Sequence, residues 1–320
     1  MGKSFFKILA ASFSLVGGII GAGFITGGEI AVFFLKDFSF AGIYCGFIFL
    51  FVAFTSVSDL CGKFFELLLS IANLVVFACM LSAFDRLISN VFHVTENIKI
   101  FKIIFAIFTF FTAGCGIKFL SRVALVTVPF SVIIAVTTCG DALSYFNDVS
   151  HFPTSLLPVV YGGANYLLLY PLSRKLFNKL NLFERIASAF ISSATTFVCA
   201  LLIALKIKRC AATGDMPLFN VVGSTALNIP YYVCCFSAVF TAASASSYSA
   251  YKLAENNVIV KFLLCILSLA LSEAGFAIII GKLYPALGAI GIMLACFNFS
   301  RIFFQSKPRE RTLVPQVYKV

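Results

Sequence analysis

Six glycines and one carboxylate fall within a single short string: Gly17-Gly18-Ile19-Ile20-Gly21-Ala22-Gly23-Phe24-Ile25-Thr26-Gly27-Gly28-Glu29. The string lies inside an apolar run from about Phe5 to Leu35, longer than the ~20 residues needed to cross a bilayer. Each glycine costs a helix roughly 1 kcal/mol relative to alanine. Two outcomes fit such a run. The helix packs closely on neighbours, since Gly17/Gly21 and Gly23/Gly27 both match small-xxx-small spacing. Or it loses its winding near Gly21 to Gly23. In that case one half-helix begins with the unpaired amides of Ala22, Gly23, Phe24 and Ile25, at the positive end of a helix dipole, where a carboxylate is favoured. The other half ends in the carbonyls of Gly17 to Ile20, which attract a cation or an ammonium group. A zwitterion satisfies both ends, and so does an anion with a sodium ion. Unwound backbone survives in lipid only against protein or a watery cavity, so the broken form points to a small-solute site.

Other residues carry chemistry beside this string. Glu29 is the only acid of the first run. A charge at mid-bilayer is costly, so it either meets a basic partner, binds a cation, carries a proton, or lies near enough to the surface to be solvated. About half a chain later, Leu156-Leu157-Pro158-Val159-Val160-Tyr161-Gly162-Gly163-Ala164-Asn165-Tyr166 is again an apolar segment interrupted by glycines. Unwinding there would turn Tyr161 and Asn165 towards a cavity. A continuous helix would instead leave them to ordinary interhelical hydrogen bonds. The run Thr241-Ala242-Ala243-Ser244-Ala245-Ser246-Ser247-Tyr248 spreads hydroxyls over several helix faces, which suits an interior helix or a small-residue packing face.

These residues must be held by membrane-spanning helices. The chain has 320 residues, of which 61% are hydrophobic and 12% charged, with a mean hydropathy of +1.02; soluble domains carry about 25% charged residues. The apolar runs are continuous rather than alternating, which excludes a membrane barrel. About ten spans are expected, over 5–35, 38–58, 63–89, 98–116, 118–139, 154–173, 183–205, 217–252, 257–280 and 283–304. The eighth contains Pro217 and Pro230 and is expected to open with a short helix over Pro217 to Asn228, the span following from Tyr231. A tight turn at Gly281-Lys282 is expected between the ninth and tenth. With both termini on the cytoplasmic side of the cell membrane, sixteen basic residues fall inside and eight outside, namely Lys36, Arg86, Lys99, Lys102, Lys206, Lys208, Arg209 and Lys282, the bias that cytoplasmic loops show. Lys206, Lys208 and Arg209 run against it. This rule accounts for the net charge of +11, so no nucleic-acid partner is expected. The partners are the lipid bilayer and a small-molecule substrate; oligomeric state is not legible. The cysteines lack metal-ligand spacing and sit in apolar runs, as small hydrophobes do. No nucleophile–histidine pair occurs in the spans, so the chain is not expected to be an enzyme. No cleavable signal is expected, because the first run is too long.

Glycine-interrupted spans at matching places in two halves are the pattern of inverted-repeat transporters. The first repeat is expected over 1–145, the second over 146–305 and a tail over 306–320. Ile20-Gly21-Ala22-Gly23-Phe24 resembles the glycine motif in the first helix of the amino acid–polyamine–organocation (APC) superfamily. The longer string from Gly21 to Ile30 is most similar to the small bacterial YkvI-like membrane proteins, although Gly28 stands where that group usually has Gln. The resemblance implies a LeuT-type fold of two inverted five-helix repeats, with helices one and six broken around a central site. It also implies sodium ligands. In sodium-coupled members, a small residue followed three and four positions later by Ser or Thr binds the ion from the eighth helix. Ala243, Ser246 and Ser247 match that spacing, with the carbonyls of Gly17 and Ile20 as partners.

The combined expectation is a secondary active transporter of a small polar metabolite, an amino acid or amine, coupled to sodium or to protons. The solute site comprises Gly21, Ala22, Gly23, Phe24, Glu29, Tyr161, Gly162, Gly163 and Asn165. The sodium site comprises Gly17, Ile20, Ala243, Ser246 and Ser247, and no cofactor other than that ion is implied. The alternative is a non-transporting receptor on the same scaffold, which would bind solute without flux.

Overall fold

A computed structural model describes residues 2–35, 38–57, 63–93, 98–148, 155–222, 226–254 and 257–305. The expected tail over 306–320 lies outside them. The described residues form helices and no strand. In chain order these are α1 (Gly2–Ile19), α2 (Ala22–Ile25), α3 (Gly28–Ile30), α4 (Phe40–Thr55), α5 (Lys63–Phe92), α6 (Ile98–Gly114), α7 (Ile117–Cys139), α8 (Leu157–Phe177), α9 (Leu182–Arg209), α10 (Pro217–Val222), α11 (Asn228–Tyr251), α12 (Val258–Ser272), α13 (Phe276–Ile278) and α14 (Tyr284–Gln305). A π-helical turn over Ala31–Leu35 extends α3, and another over Ile279–Leu283 joins α13 to α14. Five helical stretches are long and apolar enough to cross a membrane, and Ser4–Ile19, Phe40–Thr55 and Val258–Ser272 are shorter apolar helices. The chain is an all-α protein of membrane type.

Local chemistry sets the helix starts. Ser39 caps α4 by accepting the Gly42 amide at 3.1 Å. Asn181 and Glu184 form a reciprocal capping box on α9, satisfying two amides that a helix start leaves open. The eighth run divides as expected, into α10 and α11. The expected turn at Gly281-Lys282 is displaced. The chain turns at Glu273 to Gly275, where Gly275 takes φ +90°, a conformation glycine adopts without steric cost. Gly281 and Lys282 instead lie inside the helical stretch that leads into α14.

The first run is broken twice. α1 ends at Ile19, α2 begins at Ala22, and Gly27 turns the chain again at φ +83° before α3. The sixth run is not broken, contrary to expectation: α8 is one α-helix from Leu157 to Phe177. Its glycines serve packing. A methyl at Gly162 would lie 3.1 Å from Phe49 and 3.4 Å from the Gly46 carbonyl of α4. A methyl at Gly163 would run into the backbone of Gly288, and one at Gly291 into the backbone of Gly163. The missing side chains let α8 and α14 touch backbone to backbone, the role small residues have between membrane helices. Continuous winding also keeps every buried amide paired, whereas a break would need outside partners.

Candidate functional site

The site is built on the interrupted first helix. At the first break the Gly21 amide bonds to Ile19 O at 2.8 Å and the Ile25 amide to Gly21 O at 3.1 Å. Among the described residues, no backbone bond reaches the carbonyls of Gly17, Gly18 and Ile20 or leaves the amides of Ala22, Gly23 and Phe24. Of the carbonyls expected to be free from Gly17 to Ile20, that of Ile19 is taken by the Gly21 amide. The free amides stop one residue short, because Ile25 closes the first turn of α2.

The second bend is tied down from outside. Ile25 O accepts from the Tyr231 hydroxyl at 3.0 Å, and Thr26 O accepts the Leu218 amide of α10 at 2.9 Å. A methyl at Gly27 would press on Pro217 and Leu218, and one at Gly28 on the Asp215 carbonyl and Phe276. Asp215, just before α10, pairs with Arg86 near the end of α5 at 2.8 Å. The second break is thus stabilised by neighbours that satisfy the freed backbone, as lipid requires.

These bends turn Glu29 inward. It is 1% exposed, and its carboxylate folds back onto Gly23, where a Cβ would collide with it. The Tyr161 hydroxyl, from α8, donates to Glu29 Oε2 at 3.2 Å. Tyr161 is fully buried, with Phe33 and Phe34 at ring-centre distances of 5.4 and 5.3 Å. Phe33 also faces Tyr284 at 6.2 Å. No lysine, arginine or histidine pairs with Glu29 among the described residues. Its charge must therefore be met by a proton or by a cation from solution.

The structure assembles part of the expected solute site and disperses the rest. Ala22, Gly23, Phe24, Glu29 and Tyr161 come together. Gly21 lies at the break, but its open side faces Ala242 and Met80. Gly162 and Gly163 face α4 and α14 across close backbone contacts and belong to packing. Asn165 is buried, and its amide donates to Tyr161 O in its own helix at 3.0 Å.

Of the expected sodium ligands, Ala243, Ser246 and Ser247 are buried on α11. Ser246 Oγ bonds to Ala242 O at 2.8 Å, and Ser247 Oγ to Ser244 O at 3.1 Å. The face of α11 that meets the first helix carries Ala242, opposite Gly21, and Ala245, opposite Gly18. At about 100° per residue, Ser247 points to the far side of α11. A gap of about 10 Å³ does lie between α1, α7 and α11, and Ser14, Gly17, Gly18, Thr241 and Ser244 line it. That is the room of about one water molecule. Ser14 Oγ donates to Ser121 Oγ at 2.8 Å and Ser244 Oγ lies 3.1 Å from Thr112 Oγ1, so both hydroxyls already have partners. Ser14 is not among the expected residues, and Thr241 and Ser244 are expected only as part of the hydroxyl run; which side of α11 faces the first helix depends on where α1 crosses it.

The sequence matches no protein-family profile and no curated protein.

Proposed function

We propose that this chain is a secondary active transporter of a small polar metabolite, an amino acid or amine, coupled to a proton or to sodium. The observation that carries the reading is Glu29: a buried carboxylate with no basic partner among the described residues, folded back onto Gly23 of the interrupted helix. An ammonium or metal cation would satisfy that carboxylate, while the open amides of Ala22 to Phe24 would take the solute's own carboxylate. Loading a proton or cation on Glu29 changes the charge of a buried site. That change can bias which side of the membrane the site opens to.

The proposed arrangement is ten spanning helices of LeuT type, related to the APC superfamily and its YkvI-like members. The fit is to the interrupted first helix; a sixth helix that stays wound moves the solute contacts there from backbone to the Tyr161 side chain. For sodium, the gap between α1, α7 and α11 is the better match, with Gly17 O and the hydroxyls of Thr241 and Ser244. Charge supports cytoplasmic termini in the cell membrane. The described ion pairs use Arg86, Lys99, Lys102, Lys206 and Arg209, all from the expected outside set. Asp141 pairs with both Lys206 and Arg209, so two of the three residues that run against the charge bias are held in one ion-pair cluster.

The test is a thermal-shift screen of the full chain with amino acids and small amines in sodium and in potassium buffer. Uptake of the best ligand into proteoliposomes follows, under a sodium or a pH gradient. Gradient-driven uptake that falls at least ten-fold in Glu29→Gln is expected. Uptake undiminished by Glu29→Gln, or saturable binding with no flux, would refute the proposal; the latter would favour the receptor.

A further inference from the structure

A second cleft lies at the end of the bundle where Ser4 meets Glu184, away from Glu29. It holds about 460 Å³, and the end of α8, the turn from α6 to α7, the end of α11 and the start of α12 surround it. Lys175 enters from α8, Lys252 from just beyond α11 and Lys261 from α12. Its described lining contains no carboxylate. Neither Lys175 nor Lys261 has an ion-pair partner among the described residues.

A hydroxyl adds a further donor. Lys175 Nζ donates to Tyr248 Oη at 2.6 Å and stands 5.4 Å from the ring centre. A tyrosine that accepts from an ammonium still has its own proton to give. Tyr251 lines the same cleft, while its hydroxyl is buried away from it. Two ammonium groups, Lys175 and Lys261, facing a cleft whose described lining offers no carboxylate call for an anion.

The remaining wall is apolar. Phe110, Phe111 and Val258 line it, and Phe111 and Val258 are 66% and 64% exposed on the outer surface of the bundle. The lysines sit at helix ends, the level of lipid headgroups, and the apolar wall continues from them along the helices. A free inorganic anion would use the lysines and leave that wall wet. An amphiphile uses both.

We propose that this cleft binds an anionic phospholipid, its headgroup phosphate held by Lys175 and Lys261 and an acyl chain lying on Phe110 and Phe111. Basic pockets between membrane helices recognise lipid headgroups in this way. The site stands on charge and shape alone, so it holds or fails independently of the transport reading.

The test is native mass spectrometry of the full chain in detergent, titrated with phosphatidylglycerol, with phosphatidylcholine, and with phosphatidylglycerol in the presence of inorganic phosphate. One phosphatidylglycerol should bind at least ten-fold more tightly than phosphatidylcholine. Lys175→Gln with Lys261→Gln should remove that preference, Tyr248→Phe should weaken it several-fold, and Lys208→Gln should leave it unchanged. In the wild-type chain, phosphatidylglycerol should also shield Lys175 and Lys261 from amine acylation, a readout that does not depend on the variants folding. Equal binding of the two lipids, selectivity surviving in the double variant, or lysines acylated alike with either lipid would overturn the proposal. Displacement of the lipid by millimolar phosphate would reassign the cleft to a soluble anion and overturn it equally.

Discussion

Gly163→Ala sets a methyl group against α14, where it would lie 2.9 Å from Ile292 Cγ1 and 3.2 Å from the Ile292 amide nitrogen and would collide with the Gly288 carbonyl. Two of these three neighbours are backbone and cannot rotate away. Relief therefore requires α8 and α14 to separate along their whole contact, including the matching approach of Gly291 to Gly163. Alanine favours a wound helix by roughly 1 kcal/mol, and overpacking a close interface costs about 1–3 kcal/mol, more when backbone must move. The net expectation is a loss of about 2 kcal/mol for Gly163→Ala and for Gly291→Ala. The control is Gly281→Ala, whose methyl would meet nothing within 4 Å and should be neutral or stabilising. Buried thiols supply the assay: Cys79, Cys139, Cys199, Cys234, Cys235 and Cys265 are free and buried, so a thiol-reactive fluorophore reports their exposure on heating. The melting transitions of both interface variants should fall by several degrees below the control. If Gly163→Ala melts with Gly281→Ala while solute uptake alone is lost, Gly163 lines a cavity and the packing argument fails.

Gly23→Ala should push the Glu29 carboxylate off its seat and break the Tyr161 hydrogen bond. Uptake should fall as in Glu29→Gln, and a variant with full uptake would count against the Glu29–Gly23 contact. Tyr161→Phe removes a hydrogen bond to a carboxyl group, worth about 1.5 kcal/mol, and a melting point equal to wild type would show that bond to be unmade. Arg86→Gln and Asp215→Asn, singly and together, should give a coupling energy no greater than about 1 kcal/mol, because the pair is exposed. A larger value from the cycle would mean that the tether to α10 is energetically dominant. The Lys102 ammonium donates to Glu273 at 2.7 Å and holds that carboxyl below the usual range. A depressed folded value means the contribution is present above the ordinary glutamate value of 4.5 and is lost as pH falls through the folded one. The melting difference between wild type and Glu273→Gln should therefore be small, visible near neutral pH and absent in strong acid; a difference that grows on acidification would reverse the sign.

Helix positions were legible because each depends on a local property, the length of an apolar run between charged or turn residues. The division of the eighth run into a short helix from Pro217 and a following span was legible from its prolines, although the span starts at Asn228, before the expected Tyr231. Burial of Glu29 is one of the outcomes that the cost of a charge in lipid allows, and a gap in the first helix one of the two that its glycines allow. The turn before α13 was misplaced because two glycines, Gly275 and Gly281, are equally able to turn a chain, and Phe276 and Ile279 packing into the core selects the first.

The two glycine-rich strings show why the site was only half legible. In each, glycine follows glycine in an apolar run with a polar side chain nearby, and sequence alone offers unwinding or close packing for both. What separates them is the surface opposite. Gly162 and Gly163 meet the backbones of α4 and α14, themselves opened by Gly46, Gly288 and Gly291, so a wound helix gains contact through every missing methyl. Gly27 and Gly28 meet α10, its preceding loop and Phe276 instead. There Leu218 and Tyr231 supply a donor to Thr26 O and Ile25 O, so the broken backbone is paid for by hydrogen bonds. The rule that follows is specific. A glycine pair whose spatial partner is another glycine marks a helix crossing, and a glycine pair whose neighbours bring hydrogen-bond donors marks a break. Leu218→Pro tests it against Leu218→Ala: both lose the buried leucine side chain, and only proline leaves the carbonyl of Thr26 without its donor. Equal melting of the two variants would mean the second bend does not depend on that hydrogen bond. A further loss of about 1–3 kcal/mol in the proline variant, the cost of an unsatisfied buried polar group, is the expected result.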